Sequence, residues 1–191
     1  MKNAQETETL DKGKCMTTNT KMKDRWIALY VENEVGVLAK VSGLFSGKSY
    51  NLQSLTVGTT EQQDVSRMTI CVTSDDVTFE QIKKQLNSMV EVIKVIDLTG
   101  RAIHMNEILY AKVLGLDDAG KAEIFRIASV FDHASGNVNP VDIGPDGVLL
   151  ESTLSPRRND ELVALLKKEF HRVEVTRGGA VAVESISTST K

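Results

Sequence analysis

Two cysteines, three prolines, three histidines and 5% aromatic residues are spread over 191 positions, and each scarcity removes a class of protein. Cys15 lies in a polar leader and Cys71 in an apolar, strand-like run, so their spacing suggests neither a disulfide framework nor a metal site. His104, His133 and His171 are far apart and form no His-x-x-x-His pair. Metal-ligand and catalytic-triad readings therefore rest on nothing local. No apolar run approaches the roughly 18 residues that a membrane span needs. The first residues carry Glu6, Glu8 and Asp11, where a signal or transit segment would be poor in acid. The expected address is the cytoplasm, away from membranes. Lys and Arg are scattered, the formal charge is -3, and nothing supplies the basic stripe that nucleic acid requires.

What is present is an ordinary soluble composition, 41% hydrophobic and 26% charged, enough to build cores. Residues 1–23 read as a flexible leader without periodic apolar pattern. From Trp26 to Val31, Ile27, Leu29 and Val31 alternate with Trp26, Ala28 and Tyr30, the period of a strand with two covered or half-covered faces. Val37, Leu38, Val41, Leu44 and Phe45 recur at helical spacing, ending near Gly47. Asn51–Thr59 and Ser66–Val72 read as a hairpin of two strands. A helix capped by the Thr78-x-x-Gln81 box and a strand over Val90–Leu98 follow. The order βαββαβ folds into one antiparallel sheet with both helices on one face. A fainter second copy runs through strand Ile108–Val113, helix Lys121–Phe131, strands Val138–Ile143 and Val148–Thr153, a helix opened by Ser155-Pro156, and strand Val173–Thr176. The class is α+β, with two ferredoxin-like domains at residues 24–100 and 105–178 and a Gly-, Ser- and Thr-containing tail at 179–191.

Several local patterns imitate chemistry. Gly47-Lys48-Ser49 looks like the end of a phosphate-binding loop, but Ser42 stands where that motif needs a glycine. The segment also ends a helix instead of opening one, so it reads as a helix stop. Asp75-Asp76, Asp117-Asp118 and Asp160-Glu161 each lie beside a helix start, where capping accounts for them without acid-base catalysis. An RNA-binding sheet of the same fold would expose stacking aromatics that this chain lacks. The informative stretch is Glu32-Asn33-Glu34-Val35-Gly36-Val37-Leu38. It can be a tight turn with an Asn cap. It can equally present unpaired helix-start amides to the carboxylate of a small ligand, with Gly36 leaving room for close approach.

Asn33-Glu34-Val35-Gly36-Val37-Leu38, Leu44-Phe45, Tyr50-Asn51-Leu52-Gln53-Ser54-Leu55-Thr56-Val57, Ser66-Arg67-Met68-Thr69-Ile70 and Gln81-Ile82-x-x-Gln85-Leu86 together resemble the ACT domain of acetohydroxyacid (acetolactate) synthase small subunits. Glu107–Val113 and Ile124-Phe125-Arg126 extend the resemblance into the second domain. The resemblance implies a non-catalytic regulatory subunit whose paired ACT domains bind valine or a related branched-chain amino acid. Its partner would be a catalytic large subunit carrying thiamine diphosphate, magnesium and FAD, with no cofactor in this chain. The implied sensor residues are Asn33, Gly36, Val37 and Leu38 of one chain, facing Asn51 and Leu52 of a second chain in a homodimer. Two positions depart from the family pattern. Val35 replaces a small residue or Pro, and Ser49 replaces a Gly that precedes the Tyr-Asn pair, leaving Gly47 to absorb the turn. The rival readings are an ACT sensor serving a different enzyme and a small ferredoxin-like enzyme, the latter opposed by the lack of a convergent nucleophile, base or metal set.

Overall fold

The computed structural model describes residues 21–101, 103–132 and 136–186. Most of the expected leader, His133 and the last five residues of the expected tail lie outside them. The first half runs β1 (Lys23–Glu32), α1 (Val37–Gly47), β2 (Asn51–Thr59), β3 (Val65–Ser74), α2 (Asp76–Asn87) and β4 (Val92–Asp97). The second runs β5 (Ile103–Leu114), α3 (Asp118–Phe131), β6 (Asn137–Ile143), β7 (Gly147–Leu154), α4 (Pro156–Glu169) and β8 (Arg172–Glu184). Each half forms one antiparallel four-stranded sheet, in the orders β2-β3-β1-β4 and β6-β7-β5-β8. The two orders are the same, so the second copy is complete and only its sequence pattern is fainter. No described helix is long and apolar enough to cross a membrane.

Strand alternation decides what each face of β1 meets. Ile27, Leu29 and Val31 pack under Val41 and Phe45 of α1 and Phe79, Ile82 and Leu86 of α2. Trp26, Ala28 and Tyr30 face the other way, into a small cluster with Ile96, Leu98, Ile103, Met105 and Ala182. That second cluster joins the domains. The second core, with Leu109, Ala111, Val113, Ile124, Ile127, Leu150, Leu162 and Leu166, repeats the first arrangement.

Three local expectations are corrected. The Thr78-x-x-Gln81 box does not open α2. The helix begins at Asp76, and the Asp75 carboxylate accepts a 2.7 Å hydrogen bond from the Thr78 amide. That bond holds the Asp75 carboxyl below its ordinary range. Gly47 does not absorb the turn after α1 either. Ser49 itself carries a φ of +56, in the left-handed region that L side chains disfavour. Nor does the chain fray at residue 179, because β8 continues to Glu184 and pairs with β5 as far as Ile103.

Gly178-Gly179, expected to begin a tail, is a bulge. Glu107 pairs with Ala180 and Leu109 with Arg177, so two residues of β8 oppose Ile108 alone. Gly179 has a φ of +82, and a Cβ there would lie 2.6 Å from Thr56 Cγ2. Beyond the bulge, residues 180–184 of β8 and 103–107 of β5 form an arm over the open face of the first sheet. Thr56 Oγ1 donates to the Ala180 carbonyl oxygen at 2.8 Å, and an Arg67 guanidinium nitrogen donates to the Ala182 carbonyl oxygen at 2.7 Å.

Ser49→Gly should raise stability by about 0.5–1 kcal/mol, the relief of left-handed strain less the entropy of a freer unfolded chain. A urea midpoint at or below that of the parent would contradict it. Gly179→Ala should cost roughly 2–4 kcal/mol through backbone strain and the collision with Thr56. Adding Thr56→Ser, which keeps the hydroxyl and deletes the methyl, should restore at least about 1 kcal/mol of that loss in the same assay.

Candidate functional site

The turn from β1 into α1 is built by its hydrogen bonds to the β2–β3 hairpin. Asn33 donates from its backbone N–H to the Asp64 carbonyl oxygen at 2.8 Å and from its side-chain amide to the Gln63 carbonyl oxygen at 2.8 Å. Its side-chain oxygen accepts from the Ser66 hydroxyl at 2.9 Å. Asn33 therefore pins the loop to β3 and is not the cap of α1. The cap position is Gly36, at φ +91, and no side chain bonds to the helix start.

This leaves α1 unlike its neighbours. Asp75 caps α2 and Asp117 caps α3, its carboxylate accepting from the Gly120 amide at 2.7 Å, and each of those helices has a further acid in its first turn. The start of α4 also lacks a side-chain cap, but Pro156 there removes one donor. In α1 the first turn has neither side-chain cap nor acid; the Val37 N–H donates to the Glu34 carbonyl oxygen at 3.4 Å, and the amides that follow it, with the positive end of the dipole, meet no side-chain acceptor. Val35 is fully exposed and Leu38 is 42% exposed beside them. An anion with an apolar appendage matches that surface. On the flank, the Lys40 ammonium pairs with Glu91, and this hydrogen bond lifts the lysine pKa and lowers that of the carboxylate.

Not every expected sensor residue belongs to this place. Val37 is 3% exposed and turned into the core, and its N–H donates to the Glu34 carbonyl oxygen at 3.4 Å. Leu52 packs against the same core. Asn51 is exposed at the opposite end of the sheet, paired with Thr73, whereas Asn33 is bonded to Ser66 seven residues earlier on β3, roughly 23 Å away at strand rise. Within one chain, Asn33, Gly36 and Leu38 come together and Asn51 does not join them.

A second concave feature lies between the domains. A cleft of about 610 Å³ is bordered by Asp24, Trp26 and Cys71 of the first sheet and by Glu107, Asp160 and Arg177 of the second domain. Burial, with Asp24 nearby, pushes the Cys71 thiol up to about 12, so it stays protonated and unreactive near neutrality. Glu107, 6% exposed, takes bonds from Arg177 Nε at 3.1 Å and a terminal guanidinium nitrogen at 2.7 Å. The other terminal nitrogen reaches Asp160 at 2.7 Å. Asn159, wholly buried, donates to Glu107 and accepts from Ser152. Asp160 is thus a partner for Arg177 and no helix cap, contrary to the expectation for the Asp160-Glu161 pair. The sequence did carry a signal for this network: Glu107 stands in the buried register of Leu109, Ala111 and Val113, and Asn159 shares a helix face with Leu162 and Leu166. Among the described residues, no group of three or more His, Cys, Asp or Glu could hold a metal ion.

Comparison with known proteins assigns both halves. Residues 27–94 match the family described as the AHAS small subunit-like ACT domain, and residues 106–186 match the small subunit of acetolactate synthase. The acetolactate synthase small subunit of Aquifex aeolicus is 38% identical over 82% of this chain and 79% of its own length. That of Haemophilus influenzae is 35% identical over 83% of this chain and 94% of its own. The crystal structure of the Thermotoga maritima small subunit superposes with a TM-score of 0.73 at 31% identity, covering 85% of this chain and 98% of that one. With its ACT-type first domain, its matching second domain and the same overall fold, the chain belongs to the acetolactate synthase small-subunit family.

Proposed function

We propose that this chain is the regulatory subunit of an acetolactate synthase, raising the activity of a separate catalytic subunit and conferring feedback inhibition by valine or a related branched-chain amino acid. The observation that carries the reading is the start of α1, where uncapped amides, a left-handed Gly36 and the exposed Val35 and Leu38 lie together. The amides suit an amino-acid carboxylate, and the apolar side chains suit its branched group. Asn51 is too far away to share that ligand within one chain, which supports a site completed by the Asn51 and Leu52 of a second copy in an ACT homodimer. The chemistry would stay with a large catalytic subunit that holds thiamine diphosphate, magnesium and FAD. This chain would work beside it in the cytoplasm, without nucleic acid or membrane. An ACT sensor serving a different enzyme is the alternative, and co-purification with a large thiamine-dependent subunit separates the two.

The purified chain should make no acetolactate from pyruvate, and adding it to its catalytic subunit should raise turnover. Unchanged turnover together with unchanged inhibitor response, both proteins being folded, would overturn the regulatory assignment. Gly36→Asp should leave activation in place but raise the inhibitor concentration needed by at least about tenfold, equivalent to roughly 1.4 kcal/mol. Because φ at Gly36 is +91 while the space around it is open, Gly36→Ala controls for backbone strain alone. It should lose markedly less inhibition than Gly36→Asp. Equal loss in both variants would make the effect one of turn geometry and not of an anion site.

A further inference from the structure

The loop proposed to hold the amino acid is one residue away from a contact with the second domain. Asn33 accepts a hydrogen bond from Ser66, which is 6% exposed and begins the buried part of β3. The next residue, Arg67, points to the opposite face of the sheet, as successive strand residues must. There its guanidinium lies over the Tyr30 ring, 5.3 Å from the centroid, and donates to the Ala182 carbonyl oxygen on the β8 arm. A single planar peptide unit therefore joins a side chain bonded to the loop with one bonded to the other domain. A displacement of the backbone at Ser66 reaches Arg67 across that one peptide unit.

The grip of Arg67 is also incomplete. Its Nε–H is buried and meets no acceptor among the described residues. A buried donor left unpaired is costly, so a shifted arm that supplied an acceptor would compete with the arrangement seen. Of the remaining ties to the arm, that from Thr56 to Ala180 starts on β2 and the Arg101–Glu184 ion pair starts after β4, and neither has a side-chain bond to the loop among those described.

We infer that Arg67 is a positioning residue that couples the Asn33–Leu38 loop to the β8 arm, so that occupancy of the loop shifts how the second domain sits on the first. This rests on the proposed placement of the amino acid at that loop. It names the route by which binding would be felt on the far side of the sheet.

Hydrogen exchange of the arm amides at 180–184, measured on the full chain by mass spectrometry, tests the coupling first without ligand. Ser66→Ala should speed exchange of the arm at least about threefold in the parent background and have almost no effect when Arg67→Met is present. Thr56→Val should also loosen the arm, yet leave the Ser66→Ala effect intact, which a merely structural role for Arg67 does not predict. Circular dichroism checks folding, and Arg67→Lys replaces Arg67→Met should the latter fail to fold. No response of the arm to Ser66→Ala, or an undiminished response in the Arg67 variant, overturns the coupling. Saturating valine then separates the two readings. Expected is slowed exchange at residues 36–40 in both parent and Arg67→Met, with a change in the arm only in the parent. An equal change in the arm of both would overturn the relay. Valine without effect on any amide, alongside a non-additive mutant cycle, would overturn the ligand assignment and leave the relay standing.

Discussion

A sheet with helices on one side has a second face that something must cover, and in the first domain that face carries Trp26, Ala28, Tyr30 and Ile96. The second domain supplies the cover by running β5 and β8 past the end of its own four-stranded unit. The two-residue bulge at Gly178-Gly179 turns that ribbon toward the first sheet, and glycine suits position 179 because its φ is +82 and an added Cβ would lie 2.6 Å from the Thr56 methyl. The cleft, the bonds from Thr56 and Arg67, and the burial of Cys71 follow from this single covering contact. So does the Glu107 network, because Glu107 pairs with Ala180 immediately beyond the bulge and faces the cleft.

The sequence was legible wherever one period ruled a whole element. The alternation in Trp26–Val31 correctly gave both faces of β1, and helical spacing correctly gave α1, since local pattern and final packing agree there. It was illegible where a contact distant in sequence chose among locally equal options. Gly178-Gly179 looks like a terminus until β5 is known to continue beside it. Thr78 and Asp75 are both good caps, and Asp75 takes the role, its carboxylate accepting from the Thr78 amide three residues on. Ser49 could not be assigned its left-handed turn from composition, because Gly47 nearby offered an easier one. Of the candidate site, the loop at Asn33–Leu38 could be read and Arg67 could not, since its partner lies 115 positions away.

The internal repeat gives a comparison within one molecule. The second domain has the same strand order, yet the start of α3 is closed by Asp117, whose carboxylate already occupies the place where an external anion would be received. The start of α1 has no such occupant. The two starts differ in backbone as well as side chain, left-handed at Gly36 and extended at Asp117: the acid at the cap closes α3, and glycine leaves the start of α1 without a side-chain acceptor. In the proposed reading the first domain would receive the carboxylate and the arm of the second would respond to it.

Size decides whether such a report is plausible. Allosteric coupling between sites is typically about 1–3 kcal/mol. An arm buried across a broad apolar surface would not yield to that. Among the described residues the first sheet's side-chain bonds to the arm are a neutral one from Thr56, contributing about 0.5–1.5 kcal/mol, and a charged one from Arg67, about 1.5–3 kcal/mol; an exposed Arg101–Glu184 ion pair and a small apolar cluster around Ala182 complete the contact. The charged bond alone matches the coupling energy. Moving the arm by way of Arg67 is thus within reach of one amino-acid ligand, whereas separating either apolar core, with a dozen or more buried side chains, is not. The weak joint lies between the domains, and the Asn33–Leu38 loop is attached to it through Ser66 and Arg67.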